Sequence, residues 1–276
     1  MIRHYLATDF ETVASPGTAL LRLPVNDFTY QMILLRYTES GSNVSVANMK
    51  TRITRIEILV DGTPVWAVSA TQLFAINEHM GVAAVDGYLP LILAPAGLPG
   101  PAVQEALAWG TANIASLTVK VTIASGGTSP ALEAYVSGRT ESRALGKILQ
   151  YEPLTLTPPA SNAYFRLLNQ EFAGRPILGF FAETTAITKV NYKVGQNSIF
   201  DEMPIAALDV FYNAQDRLSS VSGFSIVNFA ATGQFGSDPM PIKANGVSLI
   251  NQTAEFFVTS TSSFESVLAL VGEARL

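Results

Sequence analysis

Two histidines, His4 and His79, are the only imidazoles among the 276 residues. A Ser-His-Asp relay needs one of them, and no G-x-S-x-G elbow is present to hold the nucleophile. A metal site inside a β-barrel needs several convergent imidazoles and a carboxylate, and two histidines far apart in the chain fall short. His79 follows Glu78 in a short predicted helix and is expected as a surface or helix-end residue. Paired carboxylates serve glycoside hydrolysis, and Asp201-Glu202 is the most obvious pair. It stands just before Pro204, where acidic residues favour a helix N-terminus, so capping is its expected role. Cysteine is absent, which removes disulfides, thiolate metal sites and Cys nucleophiles. Only two tryptophans, Trp66 and Trp109, could stack on a sugar, and Trp66 occupies a core strand position. Gly126-Gly127 lies between two strands as a turn and forms no phosphate cradle. No catalytic residue is expected, and the chain reads as a protein that is not an enzyme.

The elements around these residues form a pattern that occurs twice. Ile53-Thr54-Arg55-Ile56-Glu57-Ile58-Leu59-Val60 is echoed, close to half a chain length further on, by Ile187-Thr188-Lys189-Val190-Asn191-Tyr192-Lys193-Val194. Apolar residues alternate in both copies, Ile56, Ile58 and Val60 against Val190, Tyr192 and Val194, as in a strand with one buried face. A turn follows each, Asp61-Gly62 and Gly195-Gln196-Asn197, then a second strand with Val65-Trp66 against Ile199-Phe200 at the same interval. A short helix comes next in both. Thr71–Met80 places Leu73, Phe74, Ile76 and Met80 on one face with Gly81 as its stop, and its counterpart runs from Pro204 through Ile205, Leu208 and Phe211.

Further strands are predicted at Ala19–Pro24, Tyr30–Thr38, Tyr88–Leu93, Thr118–Ile123, Leu132–Ser137, Leu154–Thr157, Ile177–Ala182 and Phe224–Ala230. Phe256–Ser260 and Val267–Val271 are expected as a hairpin about Thr261-Ser262-Ser263. One more helix, Pro101 to Gly110, would bury Val103, Ala106 and Leu107, and the stiff loop Ala94–Pro101 either wraps its own domain or touches a neighbouring subunit. The charge-dense stretch Arg139–Lys147 reads as a solvated connector. Two domains follow, 1–145 and 146–276, and the fold class is all-β: two tandem eight-stranded jelly-roll sandwiches with a few short helices.

Composition narrows the function classes. Charged residues make up 14% of the chain, against about 25% in ordinary soluble domains, as if much of the surface were covered by protein neighbours. The net charge of -5 argues against a nucleic-acid surface, which needs clustered Lys and Arg. Met1–Pro16 has no continuous apolar core and is not a secretory signal; no stretch reaches 18 apolar residues. This first segment, with Ile2, Tyr5, Leu6 and Phe10 among charges, is either an arm reaching a neighbour or membrane or a frayed terminus.

The series Leu21-Arg22-Leu23-Pro24, Tyr30, Ile33-Leu34-Leu35-Arg36-Tyr37-Thr38 and Ile56-Glu57-Ile58-Leu59-Val60-Asp61-Gly62 resembles the major capsid protein of the corticoviruses. These are icosahedral bacteriophages with an internal membrane, and the close resemblance covers residues 17 to 80. It implies a structural major capsid protein, made in the host cytoplasm and resident in the virion. Homotrimers with two jelly rolls per chain would tile the shell as pseudo-hexagonal units over the membrane. Partners would be neighbouring trimers, penton and membrane-associated virion proteins, with peripheral membrane contact and no direct contact to nucleic acid. Structural calcium is implied, without a ligand set that maps onto this sequence. The other readings are a carbohydrate- or receptor-binding sandwich, such as a phage spike, and a double-sandwich enzyme.

Overall fold

The computed structural model of the chain describes residues 2–94, 106–167, 177–194, 197–216, 218–229, 243–244, 247–248 and 252–273. The first half holds strands β1 (Ile2–Leu6), β2 (Gly17–Leu23), β3 (Thr29–Glu39), β4 (Ser42–Asn43), β5 (Ile53–Val60), β6 (Thr63–Val68), β7 (Tyr88–Ile92), β8 (Leu117–Ile123) and β9 (Pro130–Arg139). Helices α1 (Val46–Arg52) and α2 (Ala70–His79) lie among them. The second half holds β10 (Lys147–Leu156), β11 (Ala163–Leu167), β12 (Ile177–Ala182), β13 (Ile187–Val194), β14 (Asn197–Pro204), β15 (Ser225–Asn228), β16 (Lys243–Ala244), β17 (Val247–Ser248), β18 (Gln252–Val258) and β19 (Phe264–Glu273). Its helix α3 (Ile205–Phe211) runs into a wider turn at Tyr212–Asp216.

Setting aside the two-residue strands β4, β16 and β17, each half has eight strands among the described residues, in one pairing order. In the first, β1-β9-β3-β7 form one sheet and β2-β8-β5-β6 the other. In the second, β10-β19-β12-β15 and β11-β18-β13-β14 repeat that order. The first strand lies beside the eighth and the second beside the seventh, which is the double Greek key of a jelly roll. The interval predicted from sequence holds: the step from Ile53 to Ile187 that separates β5 from β13 also separates the starts of β6 and β14, and of β9 and β19.

Local chemistry explains the repeated hairpin. In the first copy Asp61 and Gly62 both adopt positive φ, 49° and 81°, as a two-residue turn between right-twisted strands demands. Asp61 Oδ1 accepts the amides of Ala115 and Ser116 at 2.7 Å, tying the turn to the chain entering β8. On β8, Leu117, Val119, Val121 and Ile123 are buried while Thr118, Lys120 and Thr122 face outward, matching the predicted parity. Across the strands Lys120 meets Glu57 at 2.9 Å, and Arg55 meets the other carboxylate oxygen at 3.0 Å. Burial pushes the Glu57 pKa up, but its bonds to Lys120 and Arg55 outweigh that and hold it below the ordinary value.

Helix α2 begins with a capping box that the sequence reading missed: Gln72 N donates to Ser69 Oγ, and Ser69 N donates to the Gln72 side chain. It ends where Gly81 was expected to stop it. Gly81 N donates to Glu78 O and Val82 N to Asn77 O, with φ of 77° at the glycine.

The chain divides into two compact units. The first comprises the residues up to Asn77, Val82–Glu152 and the chain from Gly272; the second comprises Glu78–Gly81 and Pro153–Val271. The passage at Glu152 and Pro153 falls inside β10, whereas the charged stretch near residue 145 links β9 to β10.

Four expectations need correction. The charged stretch is exposed at Glu141, Arg143 and Ala144, yet its backbone is not a free, solvated connector. Arg143 O accepts Ala112 N at 2.9 Å, Glu141 O accepts Thr29 Oγ1 at 2.6 Å, and Leu145 N donates to Asn113 Oδ1. Second, Phe256 and Val267 belong to no common hairpin, because β18 pairs with β11 and β13 whereas β19 pairs with β12. Third, residues 2–6 are neither arm nor frayed end: they form β1, paired from Ile2↔Arg139 to Leu6↔Tyr135. Fourth, in the helix expected at 101–110, residues 101–105 lie outside the described residues; Leu107 is buried but Ala106 is exposed. The Gly195-Gln196 turn and most of the Ala94–Pro101 loop also lie outside them.

Candidate assembly surfaces

The residues that could have carried chemistry are held apart. His4 is exposed on β1. His79 ends α2 as predicted, but it is buried and not on the surface. Its Nδ1 lies 2.7 Å from Ser219 O and must carry the proton, while His79 O accepts Ser219 N at 2.8 Å. The rings of Phe181 and Tyr212 meet it edge-on at 5.7 and 5.9 Å, and this burial lowers its pKa to about 4. No sequence signal foretold a partner so distant along the chain.

Asp201 and Glu202 are exposed on β14 at a bulge opposite the single residue Asn191, where Glu202 takes a φ of 45°, and they do not alternate as regular strand residues. Nor do they cap α3: Pro204 takes the N-cap position, and the first turn carries no acid. Glu202 instead meets Lys189 at 3.1 Å. Trp66 and Trp109 are both buried, their rings perpendicular at 6.2 Å, so neither offers a sugar platform. Gly127 N donates to Ser15 Oγ in the β8–β9 turn. Calcium takes six to eight oxygen ligands, several from carboxylates. Among the described residues no three Asp, Glu or His side chains gather, so these residues do not fit such a site. Among them, too, no helix is long and apolar enough to cross a membrane.

What the surface does offer is strand edges and bare apolar side chains. Within the first unit, the leading part of β10 lies parallel to β6, with Tyr151 opposite Trp66. Trp66 Nε1 donates to Leu149 O at 2.7 Å, and its ring stands edge-on to Tyr151 at 4.5 Å. Elsewhere β1 and β14 are the end strands of their sheets. On them Ile2, Leu6 and Ile199 are 54–55% exposed, and on α3 Val210 is 67% and Phe211 48% exposed. Unpaired edges and large bare apolar residues mark places where a lone chain would aggregate unless a partner covers them.

Residues 6–139 match the sequence model of the viral coat protein P2 N-terminal domain. The chain is a double jelly-roll viral coat protein. Its role is structural and its place is the virion. The coat protein is similar to the major capsid protein P2 from bacteriophage PM2, at 16% identity and a TM-score of 0.82, covering 100% of this chain and 99% of that one. It is also similar to a chain in the atomic structure of Sulfolobus turreted icosahedral virus, at 11% identity, a TM-score of 0.67 and coverage of 98% and 90%. For the Faustovirus major capsid protein the values are 8%, 0.65, and 99% and 90%. At these identities the likeness is one of fold. No curated protein sequence matches the chain.

Proposed function

We propose that this coat protein assembles as a homotrimer whose six jelly rolls give a near-hexagonal unit, and that these units tile an icosahedral bacteriophage shell over an internal lipid membrane. The carrying observation is the duplication: one chain supplies two rolls with the same strand order, related by one constant step along the sequence. Three such chains offer six similar rolls to six neighbours, so a closed three-fold ring fills a six-fold lattice position. The sparse charge, 14%, suits faces that are covered by other copies, with affinity summed over many repeated contacts. Penton and membrane-associated virion proteins are the further partners in this reading. A net charge of -5 suits a subunit that does not touch the genome directly.

Light scattering on the purified protein tests it. A species of about 89 kDa, three times 29.5 kDa, is expected, and a strict monomer at every concentration overturns it.

A further inference from the structure

The pairing of β6 with β10 has a counterpart that a single chain leaves unmade. In the repeat β14 corresponds to β6, and Phe200 follows Trp66 by the same step that takes Ile53 to Ile187. Strand β1 corresponds to β10, since each is the first strand of its roll and neighbours the last. The register identifies the residues. Ser266 Oγ donates to Leu154 O, and Thr155 Oγ1 to the carboxylate of Glu265, which aligns β10 with β19. Carried back by that step to β9 and its partner β1, where Leu6 lies opposite Tyr135, this alignment makes Leu6 the counterpart of Tyr151.

We infer that β14 of one copy pairs in parallel with β1 of the next, Phe200 opposite Leu6, so that the β6–β10 pairing is repeated between subunits. Both strands end their sheets among the described residues, with backbone groups free to pair on the outer side. Both carry bare apolar residues at that edge, Ile2 and Leu6 on one and Ile199 on the other. Helix α3 points the same way. Its counterpart α2 is buried from Gln72 through Asn77, whereas α3, which directly follows β14, leaves Val210 and Phe211 uncovered. The same neighbour that supplies β1 covers them.

This proposal rests on the trimeric reading above, and one cysteine pair separates the two. The chain has no cysteine, so Leu6→Cys with Phe200→Cys places the only thiols. After mild oxidation, denaturing gels without reductant should show covalent dimers and trimers that collapse to monomer on reduction. Each single-cysteine variant should stay monomeric on the same gel. A trimer by light scattering without interchain cross-linking overturns the strand pairing and leaves the trimer standing. Dimers from a single-cysteine variant overturn it too, because they mean like edges meet. A monomer in solution overturns both. If the double variant fails to fold, hydrogen exchange on the unaltered protein decides: amides of β1 and β14 should slow at least tenfold on assembly, and unchanged exchange in both strands refutes the pairing.

Discussion

His79 sits neutral in the folded coat protein, and acid must force a proton into its buried site. The unfolded chain takes up that proton near pH 6.5, the folded one only near pH 4. The stability set by this group is therefore whole above pH 6.5, falls as the pH drops from 6.5 to 4, and changes little below that. Across the whole window the loss is about 3 kcal/mol, and at pH 5.0 it reaches roughly 2 kcal/mol. For a unit of somewhat over 100 residues each kcal/mol moves Tm by about 3–4 °C, so a fall of about 6–8 °C is expected between pH 8.0 and 5.0. The comparison is His79→Asn, whose side-chain amide can still donate to Ser219 O but cannot take up a proton in this range. That variant should melt lower at pH 8.0, because contacts with Phe181 and Tyr212 are lost, yet its Tm should lack this fall. All other titrating groups are common to both proteins and cancel. Scanning calorimetry at fixed protein concentration gives the two differences. Equal falls in both proteins would refute the assignment of a buried neutral imidazole.

Trp66→Ala should cost about 3–5 kcal/mol in urea unfolding, and Trp66→Phe about 1–3, because the latter keeps a ring but strands Leu149 O; a near-neutral Trp66→Phe would remove the role given to the indole N–H. In Gly110→Ala the new Cβ would meet Arg143 O, so a loss of about 1–3 kcal/mol and faster exchange of the Ala112 amide are expected. Gly146→Ala, with open space around it, should be near neutral, and similar losses at both positions would mean that residues 140–146 are not tied down. Ser69→Ala removes half of the capping box and should lower stability by about 1 kcal/mol, read from the same unfolding curves; no change would show that α2 does not depend on it.

The legible parts of this fold are those whose cause is local. Asp61-Gly62 announces its hairpin because few residue pairs accept two positive φ values, and the alternation on β8 records one buried face. The echo at β13 carries the same local causes, which is why one interval located two strands and a helix. Partner choice is another matter. Strand β18 is followed after a few polar residues by β19, which looks like a hairpin in sequence, yet the two-sheet topology sends them to different sheets. Strand β1 has little alternation to read, since Ile2, Arg3, His4 and Leu6 are all exposed; its pairing comes from β9, at the far end of the first half. Asp201-Glu202 looked like a cap because acid precedes Pro204, but the cross-strand Lys189 gives Glu202 a partner that only the sheet brings near. The assembly edges were invisible for the same reason: a strand is at an edge only once the order of its sheet is known.

Electron microscopy of the assembled coat protein tests the central claim most directly. A trimer of six rolls should give closed three-fold particles of near-hexagonal outline, packed side by side in sheets or shells. Single rods, open filaments or rings of another symmetry would contradict it.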